Sequence, residues 1–583
     1  MEENNSSDEN NQNGPGSEIV PDNTPPVAGE TFHPETASQP ETVPMAEPPA
    51  SEPSGFNAPD AKPELLSVPP RPLKKKSKKG LLLILLFLLL LVAGGVAYQY
   101  VYRNSTEETS KVVETKEVEQ IRIGSIDGPA NNIFPKEGIG ISYTMNRQIY
   151  EGLVASKNGK YLPLLAASWT NPNEKTWVFK LKPGVKFQSG KAFTAADVKA
   201  SIEGLKQLDF LGYVTSTIDK IEVVSDLEVK ITTSEPDALL LNRLAIAYIS
   251  DSEAKDSVGN NGTGPYMLDK TATYNETTAT LVPFDSYHQG RPKTRKLIYT
   301  IYETDLKMNA AIKENKIDMM DTISNADAIA GLSDAGFAKL EFESPGTFGI
   351  YMNMLRANSP LKNKEVRKAL AQAVNRQALI NELKSNNEPR TQVVPKSLPG
   401  YDASITFPEF NAAIAKETLT KAGYPNGVTL KYVYAKDVQP DPPILIKQLE
   451  AAGFKINAVD DPTIDSVYSG DFDLFSAAWT SDLSDSRDLL GALLHSTEQS
   501  YSVLNDAEFD KLLADSDKEL DPTKRIVLLQ QANKYVADNL LWIPIRNTAY
   551  VSYFKPELDI TMSYNGGGSP GVYFWKVGQK TTN

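Results

Sequence analysis

The side chains that could do chemistry are few in kind. The chain has 583 residues, three histidines (His33, His288 and His495) and no cysteine. Without cysteine there is no disulfide framework, no Cys-ligated zinc or iron–sulfur site and no thiol nucleophile. Neither His288 nor His495 belongs to a histidine pair or an H-E-x-x-H spacing, so the zinc site of a metallohydrolase is not encoded. No phosphate-cradling P-loop occurs. What remains is a late set of carboxylates, Asp471, Asp473, Asp482, Asp485 and Asp488, with Trp479 among them. Paired carboxylates can exchange protons or hold calcium. They can equally be solvated loop charge, and a lone Asp such as Asp482 often caps a loop or helix. Trp479, on its own, is either core packing or the wall of a pocket. These residues point away from an enzyme and from a resident metal or cofactor, and they leave binding open.

The elements that must position them sit in a very uneven chain. Net charge is −14 and the isoelectric point is near 5.0, which argues against nucleic acid as the main partner. Residues 1–73 hold 15 of the 39 prolines, and 13 Asp/Glu against Lys62 and Arg71. Such a segment has too little apolar surface to offset chain entropy and reads as a disordered tail. Five lysines follow within 74–79, then 23 uncharged residues, 80–102. At 1.5 Å per residue, 81–101 would span about 31 Å, the thickness of a hydrocarbon core. Tyr98, Tyr100 and Tyr102 fall at the far end as an interfacial belt. The basic collar predicts a cytoplasmic N-terminus, with everything after Arg103 outside. A signal peptide cut after Gly95-Val96-Ala97 is the competing reading, with an n-region of about 80 residues, far longer than usual. Residues 103–118 are polar and read as a tether. The charge divides into −11 for 1–73, +5 for the collar and −8 beyond.

Residues 119–583 carry all five tryptophans and interleave strand and helix patterns, which predicts an α/β class. In 176–181, Trp177, Phe179 and Leu181 alternate with smaller or polar residues, the mark of a half-buried strand. Lys182-Pro183-Gly184 supplies a turn, and Val185-Lys186-Phe187 is expected to return as the second strand of a hairpin. Thr194-Ala195-Ala196-Asp197 resembles a capping box with Asp in place of Glu, opening a helix through Val198, Ile202 and Leu205. Residues 364–379 read as one helix with Val366, Leu370, Ala373 and Val374 on one face. Val428, Leu430, Tyr432 and Tyr434 alternate as a strand, and 442–453 reads as a helix ended by Gly453.

Taken together, these segments resemble the extracytoplasmic solute-binding proteins of peptide, nickel and opine ABC importers (family 5, oligopeptide/dipeptide-binding protein-like). Tyr150-Glu151-Gly152-Leu153-Val154 is similar to an early family element. Leu165-Ala166-Ala167-Ser168-Trp169, Trp177 to Leu181, Gly184-Val185-Lys186-Phe187, Gly190 and Thr194 to Val198 follow the longest family signature in order. Gly262-Thr263-Gly264-Pro265-Tyr266, Tyr287 with Gly290-Arg291-Pro292-Lys293, and Ile317-Asp318 come next. Tyr351-Met352-Asn353, the valine–arginine helix at Val366-Arg367, Asp471-Phe472-Asp473-Leu474, Ala478-Trp479-Thr480-Ser481-Asp482, Arg525 and Ile543-Pro544-Ile545 complete it. The chain departs from the family where Ser486, not proline, follows Asp485, and where Asp127-Gly128-Pro129 and Phe134-Pro135 only partly replace an early aspartate–proline element.

The resemblance implies two α/β lobes around a ligand cleft, crossed twice by the chain near Tyr351 and Pro544. Lobe I would be 119–349 plus 546–583, and lobe II 350–545, closing by hinge motion. It implies Asp482 as partner of a peptide α-ammonium, because a charged end buried between lobes must meet an opposite charge. It further implies Ala478, Thr480 and Ser481 as cleft backbone, Trp479 as a pocket wall, and Ser142 and Tyr143 opposite them from lobe I. The expected function is capture of short peptides and delivery to the permeases and ATPases of an ABC importer, with no chemistry of its own. A tethered sensor with the same cleft, or a non-peptide solute, is the alternative. Many relatives are held to the membrane by a lipidated cysteine; here the 80–102 span takes that part. External protease on intact cells is therefore expected to digest the residues after 103 and spare the first 79; the reverse pattern overturns the orientation.

Overall fold

Ten strands join into one sheet. In chain order they are β1 (Ile121–Ser125), β2 (Tyr266–Leu268), β3 (Thr278–Pro283), β4 (Leu297–Ile301), β5 (Met319–Met320), β6 (Ala338–Met352), β7 (Thr429–Tyr434), β8 (Lys455–Asp460), β9 (Leu474–Thr480) and β10 (Ile543–Phe554). Across the sheet they run β8-β7-β9-β6-β10-β5-β1-β4-β3-β2. This computed structural model describes residues 115–580 apart from 127–140, 158–159, 208–211, 255–260, 321–331, 333–335, 386, 437–438, 500, 502, 561–562 and 565–570. The acidic tail, the collar, the expected span and most of the tether lie outside the described residues. No helix among the described residues is long and apolar enough to cross a membrane.

Strands β6 and β10 are 15 and 12 residues long, enough for each to serve two halves of the molecule. Residues 338–343 pair antiparallel with 549–554, and 347–350 pair with 543–547. The register shifts between Glu343 and Thr347, and again between Phe348 and Gly349, and such irregularities bend and twist a ladder. On one side of the break β9 joins β6, from Gly346↔Thr480 to Met352↔Leu474. On the other, β5 joins β10 through Met319↔Phe554. One apolar core draws only on residues from Phe348 to Ile545. Another, from Leu153 to Ile249, lies under a separate four-stranded sheet ordered Ala166–Asn173, Thr176–Leu181, Glu228–Thr233, Ile218–Ser225. A third lies beneath β1 to β4 and the C-terminal residues around Phe574.

Local chemistry explains most elements and corrects two. The carboxylate of Asp197 accepts the Thr194 N–H (3.0 Å) and hydroxyl (2.9 Å), so the Asp version of the capping box starts the helix Ala195–Leu205. The helix Asp441–Ala451 stops before Gly453, whose φ of +96° is open to glycine. The expected helix over 364–379 is two: Lys364–Ala373 and Arg376–Glu382. Val374 is extended, and the Asn375 side chain accepts the Ala378 N–H at 2.9 Å, so an internal cap wins over apolar periodicity. The expected hairpin also fails. Strand Thr176–Leu181 has both edges taken, by Ala166–Asn173 and Glu228–Thr233. Val185-Lys186-Phe187 is left with a single bridge, Lys186↔Ala192.

Gly349 marks the tightest point of the β6–β10 ladder. A Cβ there would lie 2.3 Å from the buried Trp542 ring and 2.4 Å from the Ile543 carbonyl oxygen. Gly349→Ala is expected to destabilise the core between Phe348 and Ile545 by about 1–3 kcal/mol, read by chemical denaturation, because the obstacle is partly backbone and cannot rotate away.

Candidate ligand site

Two of the motifs meet each other rather than a ligand. Gly262 and Gly264 lie against the end of the helix Ile141–Ile149; a Cβ on either would approach the Ile149 or Gln148 carbonyl to 2.0 or 2.6 Å. That closeness lets the Gly264 N–H reach the Ile149 carbonyl at 2.8 Å. It also lets Thr263 donate to Glu151 Oε2 at 2.9 Å. The buried Glu151 further accepts the Tyr287 hydroxyl (2.8 Å) and meets His288 Nε2 at 2.9 Å. Glu151 and His288 are thus spent on packing two chain segments together. The other outer histidine, His495, lies at the end of the helix Ser486–Leu494, near Glu498 and Asp510.

In the other half, Arg367 of the valine–arginine helix sends its guanidinium to the carbonyls of Leu361, Lys362, Asn539 and Leu540. It caps the end of the helix Pro522–Asn539 just ahead of β10. Arg525 of that helix binds Asp485 through two bonds of 2.7 and 2.9 Å, with both side chains buried. Asp485 in turn accepts the Arg487 N–H at 2.8 Å and caps the helix Ser486–Leu494.

Between β9 and that helix runs a tight turn. Ser481 is fully buried, and its N–H donates to the Pro345 carbonyl of β6 at 3.2 Å. Its Oγ lies 2.9 Å from both the Asp485 carbonyl and Asp488 Oδ2 and accepts the Asp485 N–H. The Leu483 N–H also donates to Asp488 Oδ2, at 3.2 Å, and Ser484 takes a left-handed φ of +53°. Ser481, Asp485 and Asp488 thereby hold the turn. Asp482 is exposed to solvent by its surface area, although enough protein lies around its carboxylate for burial to act on it. Burial, and then the nearby Asp488, push its pKa up to about 6, and among the described residues no donor reaches it. Burial also raises Asp488.

The remaining expected site residues fall as follows. Trp479 is half-buried and rests on the apolar core of its own half; Ala478 is exposed and Thr480 half-buried, both on β9. The Thr480 hydroxyl faces Gly346, where a Cβ would approach it to 2.5 Å. The Ser481 side chain faces inward, as above. Ser142 and Tyr143 are in the first turn of the helix Ile141–Ile149. Sequence reasoning missed a small recess, partly open to solvent, lined by Arg147, Tyr150, Glu151, Tyr248, Gln289 and Tyr573 with apolar neighbours. It also missed the contacts that Asn242 and Tyr161 make toward the Asp482 turn. Neither carries a local signal, since both depend on segments distant in the chain.

Two α/β halves, two shared strands and an acidic turn beside the crossing are the layout of a bacterial solute-binding protein. The sequence model of "Bacterial extracellular solute-binding proteins, family 5 Middle" matches residues 160–501, more than half of the chain, and the chain belongs to that family, whose members serve ABC importers. It is 28% identical over 451 residues to the glutathione-binding protein GsiB of Salmonella paratyphi A, covering 72% of this chain and 87% of that one. It is 26% identical over 425 residues to the probable D,D-dipeptide-binding periplasmic protein DdpA of Escherichia coli K12, covering 68% and 80%. The fold is that of HbpA2 from Haemophilus parasuis, at a TM-score of 0.70 and 23% identity over 79% of this chain and all of that one. DppA from Helicobacter pylori, in complex with the peptide STSA, gives a TM-score of 0.64 at 20% identity, over 80% and 99%.

The Asp485–Arg525 pair generates a test of what holds the acidic turn. Arg525→Met leaves a buried carboxylate without its partner and is expected to cost about 3–5 kcal/mol in denaturant unfolding. The double change with Asp485→Asn should recover part of that loss; a double variant no more stable than the single one removes the pair from this role.

Proposed function

We propose that this protein captures short peptides between its two lobes and hands them to an ABC importer, with Asp482 taking the peptide α-ammonium. The supporting observation is the carboxylate itself: exposed, yet with its pKa near 6 and no donor among the described residues. An ammonium group supplies the missing positive charge and up to three donors, and a hydrogen bond to a charged group contributes roughly 1.5–3 kcal/mol. Ala478, Trp479 and Thr480 would line the same wall from β9, Ser481 would hold the turn, and Ser142 and Tyr143 would face them from lobe I. Residues 119–349 with 546–583, and 350–545, are the two lobes of this reading, turning about β6 and β10. Glutathione and D,D-dipeptides, named for two relatives, are small peptides with free ends, which makes them the first ligands to try. Residues 80–102 would anchor the molecule with the lobes outside; the uncharged run and its basic collar support this.

The direct experiment is to purify the full chain in detergent, release any bound compound and identify it by mass spectrometry. A peptide ligand at 100 times its Kd should add about 2.7 kcal/mol of stability. If neither the released compounds nor an added peptide pool yields a binder, the peptide reading fails. Asp482→Asn should weaken binding by on the order of tenfold or more while leaving the far-ultraviolet circular dichroism unchanged.

The sign of the pH dependence follows from the raised pKa. Binding an ammonium needs the ionised carboxylate, so affinity should hold above about pH 7 and fall by on the order of tenfold per unit below about pH 6. The ligand-free fold behaves oppositely: a carboxyl with a raised folded pKa adds stability as pH falls from about 6 toward the unfolded value. Isothermal titration from pH 5 to 8 checks the first statement. Asp482→Asn should abolish the pH dependence of binding and lessen that of stability, to which the raised Asp488 also contributes.

A further inference from the structure

The turn that carries Asp482 is also gripped from the other lobe. Asn242, in the lobe I helix Leu240–Ile246, is buried and donates from Nδ2 to the Leu483 carbonyl at 2.7 Å. Its Oδ1 accepts the Tyr161 hydroxyl at 2.5 Å, from the strand Lys160–Pro163. The amide is therefore oriented by its own lobe and spent on the residue next to Asp482. The amide accepts from the hydroxyl through one atom and donates to the carbonyl through another; an ionised carboxylate cannot donate and leucine can do neither. Three contacts continue the same seam. The Ala238 N–H donates to the Asp517 carbonyl at 2.8 Å. Leu520 packs against the core formed by residues from Leu153 to Ile249. Lys518 Nζ lies 3.3 Å from Glu235, with both side chains about half exposed. Asp517 also binds Arg487, which follows the Asp485-capped start of its helix, so the seam is braced onto the acidic turn from both directions.

We propose that Asn242 is a positioning residue that fastens lobe I to the Asp482 turn, making lobe closure and presentation of the ammonium-binding carboxylate one event. This rests on the reading of Asp482 given above. When the lobes part, the Asn242 amide and the Leu483 carbonyl both return to water, so each polar contact exchanges one partner for another. A clasp of this kind resists opening weakly, which suits a protein that must release its cargo. Its effect belongs in the lifetime of the closed complex and not in the rate of encounter.

The test uses the full chain. Because the sequence has no cysteine, cysteines introduced at the exposed Glu203 of lobe I and Lys421 of lobe II accept spin labels at two known places and report the interlobe distance. Asn242→Asp keeps the size and the acceptor and removes the donor. The distance distribution of this variant is expected to shift to longer values without ligand. With tri-alanine and glutathione as probes, dissociation should quicken by about tenfold while association changes less than about threefold. Since Asn242 is buried, a surface pair provides an independent arm. Lys518→Glu should shift the distances in the same direction, and Glu235→Lys combined with it should restore them. An unchanged distribution in a folded Asn242→Asp protein overturns the clasp; if that variant does not fold, an unchanged distribution in Lys518→Glu does so. Longer distances with unaltered probe dissociation overturn the link to Asp482. Failure of both probes to bind the unaltered chain sinks the peptide reading instead, and the distances alone then decide the clasp.

Discussion

The pairing of β6 with β10 is the constraint on which the rest depends. Both strands are hydrogen-bonded along most of their length, and the apolar cores of the two halves grow from opposite ends of that ladder. The halves cannot separate without unzipping it. The ladder itself is irregular around residues 343–349 and 547. There the Ser344 and Thr548 hydroxyls bond each other at 2.7 Å, and Gly346 leaves no space for a side chain. Ser481 is tied to the Pro345 carbonyl at the same place. The acidic turn thus begins where β9, paired with β6, ends, and is tied to the irregular stretch of β6 through the Ser481 N–H as well.

Around that ladder the chain satisfies its buried charges with care. Glu151 is met by Thr263, Tyr287 and His288, Arg367 by four carbonyls, Asp485 by Arg525, and Asp441 by Arg546. Leaving any of these alone in the interior would cost several kcal/mol. Asp482 differs from these: it is exposed, and among the described residues no donor reaches its carboxylate. That contrast, more than the residue type, separates it from Asp471 and Asp473, which pair with Lys431 and Arg356.

The sequence made the fold class, the capping of helix Ala195–Leu205, the helix Asp441–Ala451 and the ordered motifs readable, because each is set by local periodicity, caps or glycine placement. It did not reveal that Val185-Lys186-Phe187 lacks a strand partner, since that depends on which distant strands already occupy the neighbouring edges. It did not reveal the break at Asn375, where one side-chain cap outweighs four apolar positions. Asp482 and Trp479 were singled out by their spacing within a motif, and their place in a ligand site is the reading proposed above. The inward orientation of Ser481 was not, because it is decided by Asp485 and Asp488 closing the turn. Asn242 was invisible for the same reason: its partner is more than two hundred residues away.

The wiring of the acidic turn has a consequence for change over generations. None of the bonds described above that give residues 481–488 their shape ends on the side chain at 482. If Asp482 meets the ligand as proposed, shape and cargo preference are written at different positions. A lineage, or an engineer, could exchange the acid at 482 for a base or an amide with little penalty in folding, and so redirect the same hinge and the same scaffold toward an anion or a neutral solute.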